Sequence, residues 1–149
     1  MLSKKRQTAV NDPARWVWWA AGLFLLLGLL VQFWRLWSLS ATYDQGIFNQ
    51  VLWNSGHGRW FASSLSSQLS SAVLHGGLAP DPSYQRLGQH YTPLLLLWAP
   101  LVRWLGFAAL PLVQVSLMTA AGLVLHRLAR GLLPAGLAAA VACSFYGAQ

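Results

Sequence analysis

The stretch Trp16–Trp34, WVWWAAGLFLLLGLLVQFW, decides the fold because it runs for nineteen residues without a charged side chain. As an α-helix it would be about 28 Å long, close to the thickness of the hydrocarbon core of a bilayer. Trp residues stand near both of its ends, where amphipathic indole rings collect at lipid–water interfaces. The pattern predicts a transmembrane helix over residues 16–38.

A basic arm precedes this stretch, with positive charges at Lys4, Lys5, Arg6 and Arg15. Because cytoplasmic flanks of membrane helices carry an excess of Lys and Arg, residues 1–15 are expected to lie in the cytoplasm. A cleaved signal peptide, with a cut near Ser38 and Ser40, is the alternative interpretation. The apolar run is longer than the roughly 7–15 residues of a signal peptide, which favours the membrane helix.

The composition excludes an ordinary soluble domain. The chain has 149 residues, of which 56% are hydrophobic and 9% charged, against about 25% charged in typical soluble domains. The net charge of +7 is not the footprint of a nucleic-acid-binding protein, because the basic residues flank apolar segments and no reading helix or basic-aromatic groove is visible. The single cysteine, Cys143, allows no internal disulfide and no CxxC motif.

A second uncharged stretch of nineteen residues, Phe107–Leu125, predicts a transmembrane helix over residues 107–126. Arg127 and Arg130 follow it and predict a cytoplasmic turn at 127–131. A third apolar run, 132–149, predicts a truncated third span. The expected fold is therefore an all-α integral membrane protein with two complete transmembrane helices and a truncated third.

Residues 39–106 form the polar part of the chain and are expected to be an extracytoplasmic loop. An apolar face made by Ile47, Phe48, Val51 and Leu52, with Asn49 and Gln50 opposite, predicts a short interfacial helix over 44–54. Asp44 is placed to cap this helix, and the turn residues of 54–58 are placed to end it.

Two further segments of this loop differ in character. The Ser-rich run 63–71 is expected to be flexible. Residues 93–105, PLLLLWAPLVRWL, are apolar but short for a span and contain Pro100 and Arg103. This composition predicts a second interfacial helix.

Asp44 is the strongest candidate for chemistry, because it is the only acid in the first part of the loop. A helix cap and a catalytic carboxylate are both open interpretations, and one residue can serve both roles. His57 and His90 could join Asp44 as metal ligands, but their spacing matches no ligand motif. A turn residue is the simpler interpretation of His57, while His90 is either a neutral interfacial residue or a phosphate contact.

Arg59 and Arg103 are candidates for binding an anionic group, since Arg grips phosphate with two parallel hydrogen bonds. Snorkelling of their charges from interfacial helices is the alternative. The chain lacks the GxxxxGK[ST], GxGxxG, GxSxG and HExxH motifs, so nucleotide hydrolysis, dinucleotide binding and standard hydrolase chemistry have no support in the sequence.

Three segments carry a family resemblance: Tyr43–Leu65 (YDQGIFNQVLWNSGHGRWFASSL), Leu87–Leu101 (LGQHYTPLLLLWAPL) and Leu123–Leu133 (LVLHRLARGLL). They resemble a bacterial family of polytopic membrane proteins that is described only as a domain of unknown function. That family is in turn similar to the GT-C membrane glycosyltransferases, which have many transmembrane helices and an Asp in the first outer loop. The family's chains are several times longer, so we expect this chain to correspond to their N-terminal part.

The resemblance implies transfer of a sugar from a polyprenyl-phosphate donor to an acceptor at the outer face of the bacterial plasma membrane. It gives Asp44 the role of base or metal-site acid, and Arg59 and His90 the role of phosphate contacts. Gln89 stands where an acid is common in the family, so the sequence does not support a divalent metal, and no other cofactor is evident. The alternative function is a non-catalytic small membrane protein, either a truncated remnant or a subunit that packs against other membrane helices.

Overall fold

The computed structural model describes residues 12–40 and 42–149. The regular secondary structure of this part of the chain is helical, apart from one isolated β-bridge between Ala62 and Gln85, and turns and irregular segments connect the helices. Most of the predicted basic arm therefore lies outside the described residues. The α-helices are α1 (Ala14–Trp37), α2 (Tyr43–Gly56), α3 (Ser64–Ser67), α4 (Ser71–Leu74), α5 (Ala99–Leu105), α6 (Ala109–Arg130) and α7 (Ala135–Gly147). Short 3-10 helices occupy Arg86–Gly88, Pro93–Trp98 and Gly106–Ala108.

The two long helices confirm the two apolar segments that could cross a membrane. Helix α1 has 24 residues and α6 has 22. Along α1 only Val17 and Ala21 are buried, and its Trp side chains are exposed, as expected of a helix whose surroundings are lipid. The two helical stretches that are long and apolar enough for a membrane span are Ala14–Trp37 and Pro93–Arg130, and α6 is the last part of the second.

The boundary after the second apolar helix differs from the prediction. Arg127 and Arg130, predicted in a cytoplasmic turn at 127–131, belong to the last turn of α6, where positive charge is favourable at a helix C-terminus. The turn is confined to the residues between α6 and α7. Helix α7 has only 13 residues, so the third span stays a prediction.

The segment 93–105 is also divided where one helix was expected. A 3-10 helix covers Pro93–Trp98 and α5 follows from Ala99 to Leu105. Pro100 stands in the first turn of α5, where a missing amide hydrogen is harmless, and so it begins the α-helix there. Gly106, at φ +58°, ends it.

The chain divides into two compact units, and the first comprises the described residues up to Gln32 together with Val113–Gln149. Its buried core is Val17, Ala139 and Ala142, with Leu123 and Cys143 against them. Glycines bring the helices close together: a methyl group at Gly28 would lie 2.8 Å from Val115 Cγ1.

Tyr146 occupies the closest of these helix contacts. Its hydroxyl donates to the Thr119 carbonyl at 2.7 Å, and its ring lies 5.3 Å from that of Phe24. A Cβ atom at Gly122 would overlap the Tyr146 ring. Because the ring is held at both its hydroxyl and its face, it has little freedom to move away.

We therefore expect Gly122→Ala to lower the stability of this unit by about 1–3 kcal/mol, the usual cost of overpacking. The control is Gly136→Ala in α7, where nothing lies within 4 Å of the added carbon. That change should leave stability unchanged or raise it by up to about 1 kcal/mol, since Ala is the better helix former. Thermal unfolding of both variants in detergent micelles checks the difference, and equal midpoints would contradict this packing.

The second unit, Phe33–Leu112, is built around α2. One face of α2 places Ile47 and Val51 in a buried cluster with Phe61. Another side places Leu52 in a cluster with Val102 of α5 and Ala109. The predicted short helix is present, but it is not one-sided: Asn49, predicted on its polar face, is buried because α2 is covered on two sides by its own unit. Its position at the membrane interface stays a prediction.

Candidate functional site

Asp44 lies in the first turn of α2, but it is not the cap of that helix. The N-cap is Thr42, whose hydroxyl oxygen accepts a hydrogen bond from the Gln45 amide at 3.3 Å. The predicted cap was therefore wrong by two residues, because Tyr43 is already helical. An Asp in the first turn still interacts favourably with the helix dipole.

The Asp44 carboxylate is exposed and is engaged by no hydrogen bond or ion pair within residues 12–40 and 42–149. The other acid of the polar segment, Asp81, contrasts with it. Asp81 Oδ1 accepts hydrogen bonds from the Ser83 hydroxyl at 2.7 Å and the Ser83 amide at 2.8 Å. These bonds favour the charged form and hold the pKa of Asp81 below its usual value. Asp44 is thus the acid that remains available to a substrate.

The cap assignment gives a direct prediction for stability. Thr42→Ala should cost about 1 kcal/mol, because the Gln45 amide loses its acceptor. Asp44→Ala should cost less, toward the lower end of about 0.3–1 kcal/mol in buffer that contains salt, because only an exposed and screened interaction with the helix dipole is lost. Chemical denaturation of the two variants tests this order. A larger decrease in the free energy of unfolding for Asp44→Ala than for Thr42→Ala would contradict the assignment of Thr42 as the cap.

Amide side chains of α2 anchor the Ser-rich segment. Gln50 donates to the Ser64 hydroxyl at 2.9 Å and accepts from the Ser63 hydroxyl at 2.7 Å and the Leu65 amide at 3.1 Å. Asn54 donates to the Ala62 carbonyl at 2.8 Å. The expectation of a flexible run at 63–71 was wrong for its first half, because Ser63, Ser66 and Ser67 are buried.

The residue next to Asp44 is tied to the same segment. The Tyr43 hydroxyl donates to the Leu65 carbonyl, and it also lies 2.9 Å from Gln68 Oε1. The first turn of α2 is therefore fixed by the Tyr43 hydroxyl bonds and by the Thr42 cap. This fixes the backbone that carries Asp44 while leaving its carboxylate exposed.

The predicted phosphate contacts are Arg59, His90 and Arg103, and no hydrogen bond joins them to one another among the described residues. Arg59 donates through Nη2 to the Asn54 Oδ1 atom at 2.6 Å. His90 and Arg103 have exposed side chains, the latter on α5. His57 caps the end of α2, where its Nδ1 lies 2.7 Å from the Trp53 carbonyl oxygen and its ring lies 4.5 Å from the Trp53 ring. His57 is thus a turn residue, as its flanking glycines indicate.

No three His, Cys, Asp or Glu side chains come together as a metal site in the part of the chain that the structure describes. Asp44, His57 and His90 therefore form no ligand set there.

Arg86 is the residue that sequence reasoning missed. It is 5% exposed, its Nη1 donates to the buried Ser66 hydroxyl at 3.2 Å, and its guanidinium lies 4.8 Å above the centre of the Phe48 ring. Its Nε atom has no hydrogen-bond partner among the described residues. Phe48 stands one helical turn after Asp44, so the buried cation lies against the side of α2 on which Asp44 stands.

These features define a helical membrane protein whose polar segment carries one available carboxylate on a firmly held helix. The family model of a predicted membrane protein family, DUF2079, matches residues 35–149. The chain belongs to this family. No curated protein matches the chain, and neither does any solved structure.

Proposed function

We propose that this chain provides the acid-bearing outer segment of a membrane glycosyltransferase that uses a polyprenyl-phosphate-linked sugar. The observation that carries the proposal is Asp44, an exposed carboxylate without a partner among the described residues, on a helix held by buried side chains at 47, 51 and 52. In this proposal the membrane is the bacterial plasma membrane, the N-terminus is cytoplasmic and residues 39–106 face outward.

In this reaction the acceptor hydroxyl attacks the anomeric carbon of the donor sugar. The Asp44 carboxylate accepts the proton of that hydroxyl as the new carbon–oxygen bond forms. The bond from the anomeric carbon to the phosphate oxygen breaks on the opposite face, and its electron pair leaves with the phosphate. The configuration at the anomeric carbon is therefore inverted.

Cations stabilise the negative charge that develops on the departing phosphate. Arg59, His90 and Arg103 are the residues that we propose for this role. Arg59 uses Nη2 toward Asn54, and since a guanidinium has five N–H donors, others remain for a phosphate. The bond to Asn54 orients the side chain, which lowers the entropy that binding would otherwise cost.

The test is Asp44→Asn, which keeps the size of the side chain but removes the base. Membranes containing the protein are incubated with radiolabelled polyprenyl-phosphate hexoses, and transfer of label to a non-lipid product is measured. We expect the transfer rate to fall by roughly 10²–10⁴, the usual contribution of general base catalysis.

The matched control is Asp81→Asn, which removes the same charge from the same segment where the carboxylate is already bonded to Ser83. We expect transfer by this variant at the rate of the unchanged protein. Both variants are compared at equal membrane levels by immunoblot. Unchanged transfer by Asp44→Asn, or no transfer by the unchanged protein above membranes that lack it, would favour the non-catalytic alternative.

A further inference from the structure

The positive charge of Arg86 is buried without an acidic partner. The side chain is 5% exposed, and no Asp carboxylate pairs with it within residues 12–40 and 42–149. Asp81, the acid closest to it in sequence, is bonded to Ser83 instead. Charged side chains are almost never fully buried unless they are paired, because removing a charge from water costs far more than removing a neutral polar group.

Two neutral groups contact the buried cation. The guanidinium lies 4.8 Å above the centre of the Phe48 ring, and Nη1 donates to the Ser66 hydroxyl at 3.2 Å. An aromatic ring and a hydroxyl both stabilise a positive charge, but a hydrogen bond to an ionised acceptor is roughly twice as strong as one to a neutral acceptor. The environment of Arg86 therefore favours the addition of an anion.

The open edge of the guanidinium is at Nη2. The Nε atom is enclosed by protein and has no acceptor among the described residues, so a ligand does not reach it. Nη2 also has no acceptor there, but it reaches the molecular surface, where the remaining exposure of Arg86 lies. An anion can therefore approach Arg86 at Nη2.

Gln89 brings a second donor to the same place. Its backbone amide donates to the Arg86 carbonyl at 2.8 Å, so the two residues lie in one helical turn. Its Nε2 atom donates to the Ser66 carbonyl oxygen at 3.2 Å, while Arg86 donates to the hydroxyl of the same serine. The two side chains therefore converge on Ser66, and Gln89 Nε2 keeps a second N–H for another acceptor.

Ser66 holds these donors in position. It is fully buried, and its amide donates to the Ser63 hydroxyl at 3.1 Å. Because Arg86 and Gln89 are both bonded to this fixed residue, their side chains lose little further freedom when a ligand binds. Such preorganisation lowers the entropic cost of binding.

We propose that Arg86 and Gln89 form a binding site for a phosphate group. Its oxygens accept hydrogen bonds from Arg86 Nη2 and from the second N–H of Gln89 Nε2, and its charge compensates the buried cation. A phosphate monoester offers three acceptor oxygens and a charge of about −1.5 to −2 at neutral pH, more than a carboxylate offers. The inference does not rest on the proposed glycosyl transfer, because its test uses neither a sugar nor an acceptor.

The test follows the thermal unfolding of the full chain in uncharged detergent micelles by Trp fluorescence. A ligand that binds only the folded chain raises the unfolding temperature, and the dependence on its concentration gives an apparent affinity. One series adds inorganic phosphate, with acetate at equal ionic strength as its control. The other adds phosphatidic acid to the micelles, with phosphatidylcholine as its control. The two series distinguish a free phosphate from a lipid headgroup.

The variant is Arg86→Met, which removes the charge but keeps an unbranched side chain against the Phe48 ring. We expect it to fold, since replacing a buried charge by an apolar side chain of similar volume is often neutral or stabilising. The matched control is Arg35→Met, which removes a half-buried cation of the same unit.

We expect phosphate to raise the unfolding temperature of the unchanged protein and of Arg35→Met, and its apparent affinity to fall at least tenfold in Arg86→Met. Stabilisation in both series shows that free phosphate is sufficient, and stabilisation by phosphatidic acid alone identifies a lipid headgroup; both results support the site. The proposal is overturned if neither ligand stabilises the unchanged protein, if the control ligands stabilise it equally, or if Arg86→Met binds as tightly as the unchanged protein.

Arg86→Lys decides the outcome if Arg86→Met does not fold. Lysine keeps the positive charge but lacks the planar fork of N–H donors that matches a phosphate. We expect the apparent affinity of Arg86→Lys for phosphate to fall about tenfold, and an unchanged affinity would overturn the proposal.

Discussion

The burial of α2 on two sides is the constraint on which the second unit depends. Ile47 and Val51 are fully buried against Phe61, and Leu52 is fully buried against Val102. Full burial of such a side chain contributes about 1.5–3 kcal/mol. Because the apolar contacts fix the rotation of α2 about its axis, they also determine which of its polar residues face inward and which face outward.

The polar side chains of α2 that face the rest of the unit then fix the position of residues 62–65. Gln50 and Asn54 each bond backbone or hydroxyl groups of residues 62–65, so Ser63 is buried with a hydrogen-bond partner. Phe61 adopts a left-handed conformation at φ +54°, which costs a non-glycine residue about 1–2 kcal/mol. Its burial and the hydrogen bond from its amide to the Ser55 hydroxyl, at 2.9 Å, offset that cost.

The features that depend on local pattern were predictable from the sequence. Long uncharged runs gave the two apolar helices, and the spacing of Ile47, Val51 and Leu52 gave α2 and its buried face. Asn49 was assigned to the opposite face and is in fact buried, because α2 packs on two sides and periodicity describes only one. The division at Pro100 was also not visible, since an apolar run hides a change from 3-10 to α-helix.

Features that depend on distant partners were not predictable. The Ser63–Ser67 segment resembles a flexible linker until Gln50, thirteen residues earlier, is placed beside Ser63. Arg86 resembles a surface cation until Phe48 and Ser66 surround it. Thr42 and Asp44 are both good capping residues, so the choice between them depends on where the backbone first turns helical.

In the proposed topology, residues 39–106 lie on the outer side of the membrane and the C-terminal end of α6 lies on the cytoplasmic side. Single cysteines at His75 and at Arg130, both exposed, report the two sides when the native Cys143 is changed to Ala. Intact cells are treated with a membrane-impermeant maleimide, before and after permeabilisation. We expect His75→Cys to be labelled in intact cells and Arg130→Cys to be labelled only after permeabilisation. The reverse pattern, or labelling of both positions in intact cells, would contradict it.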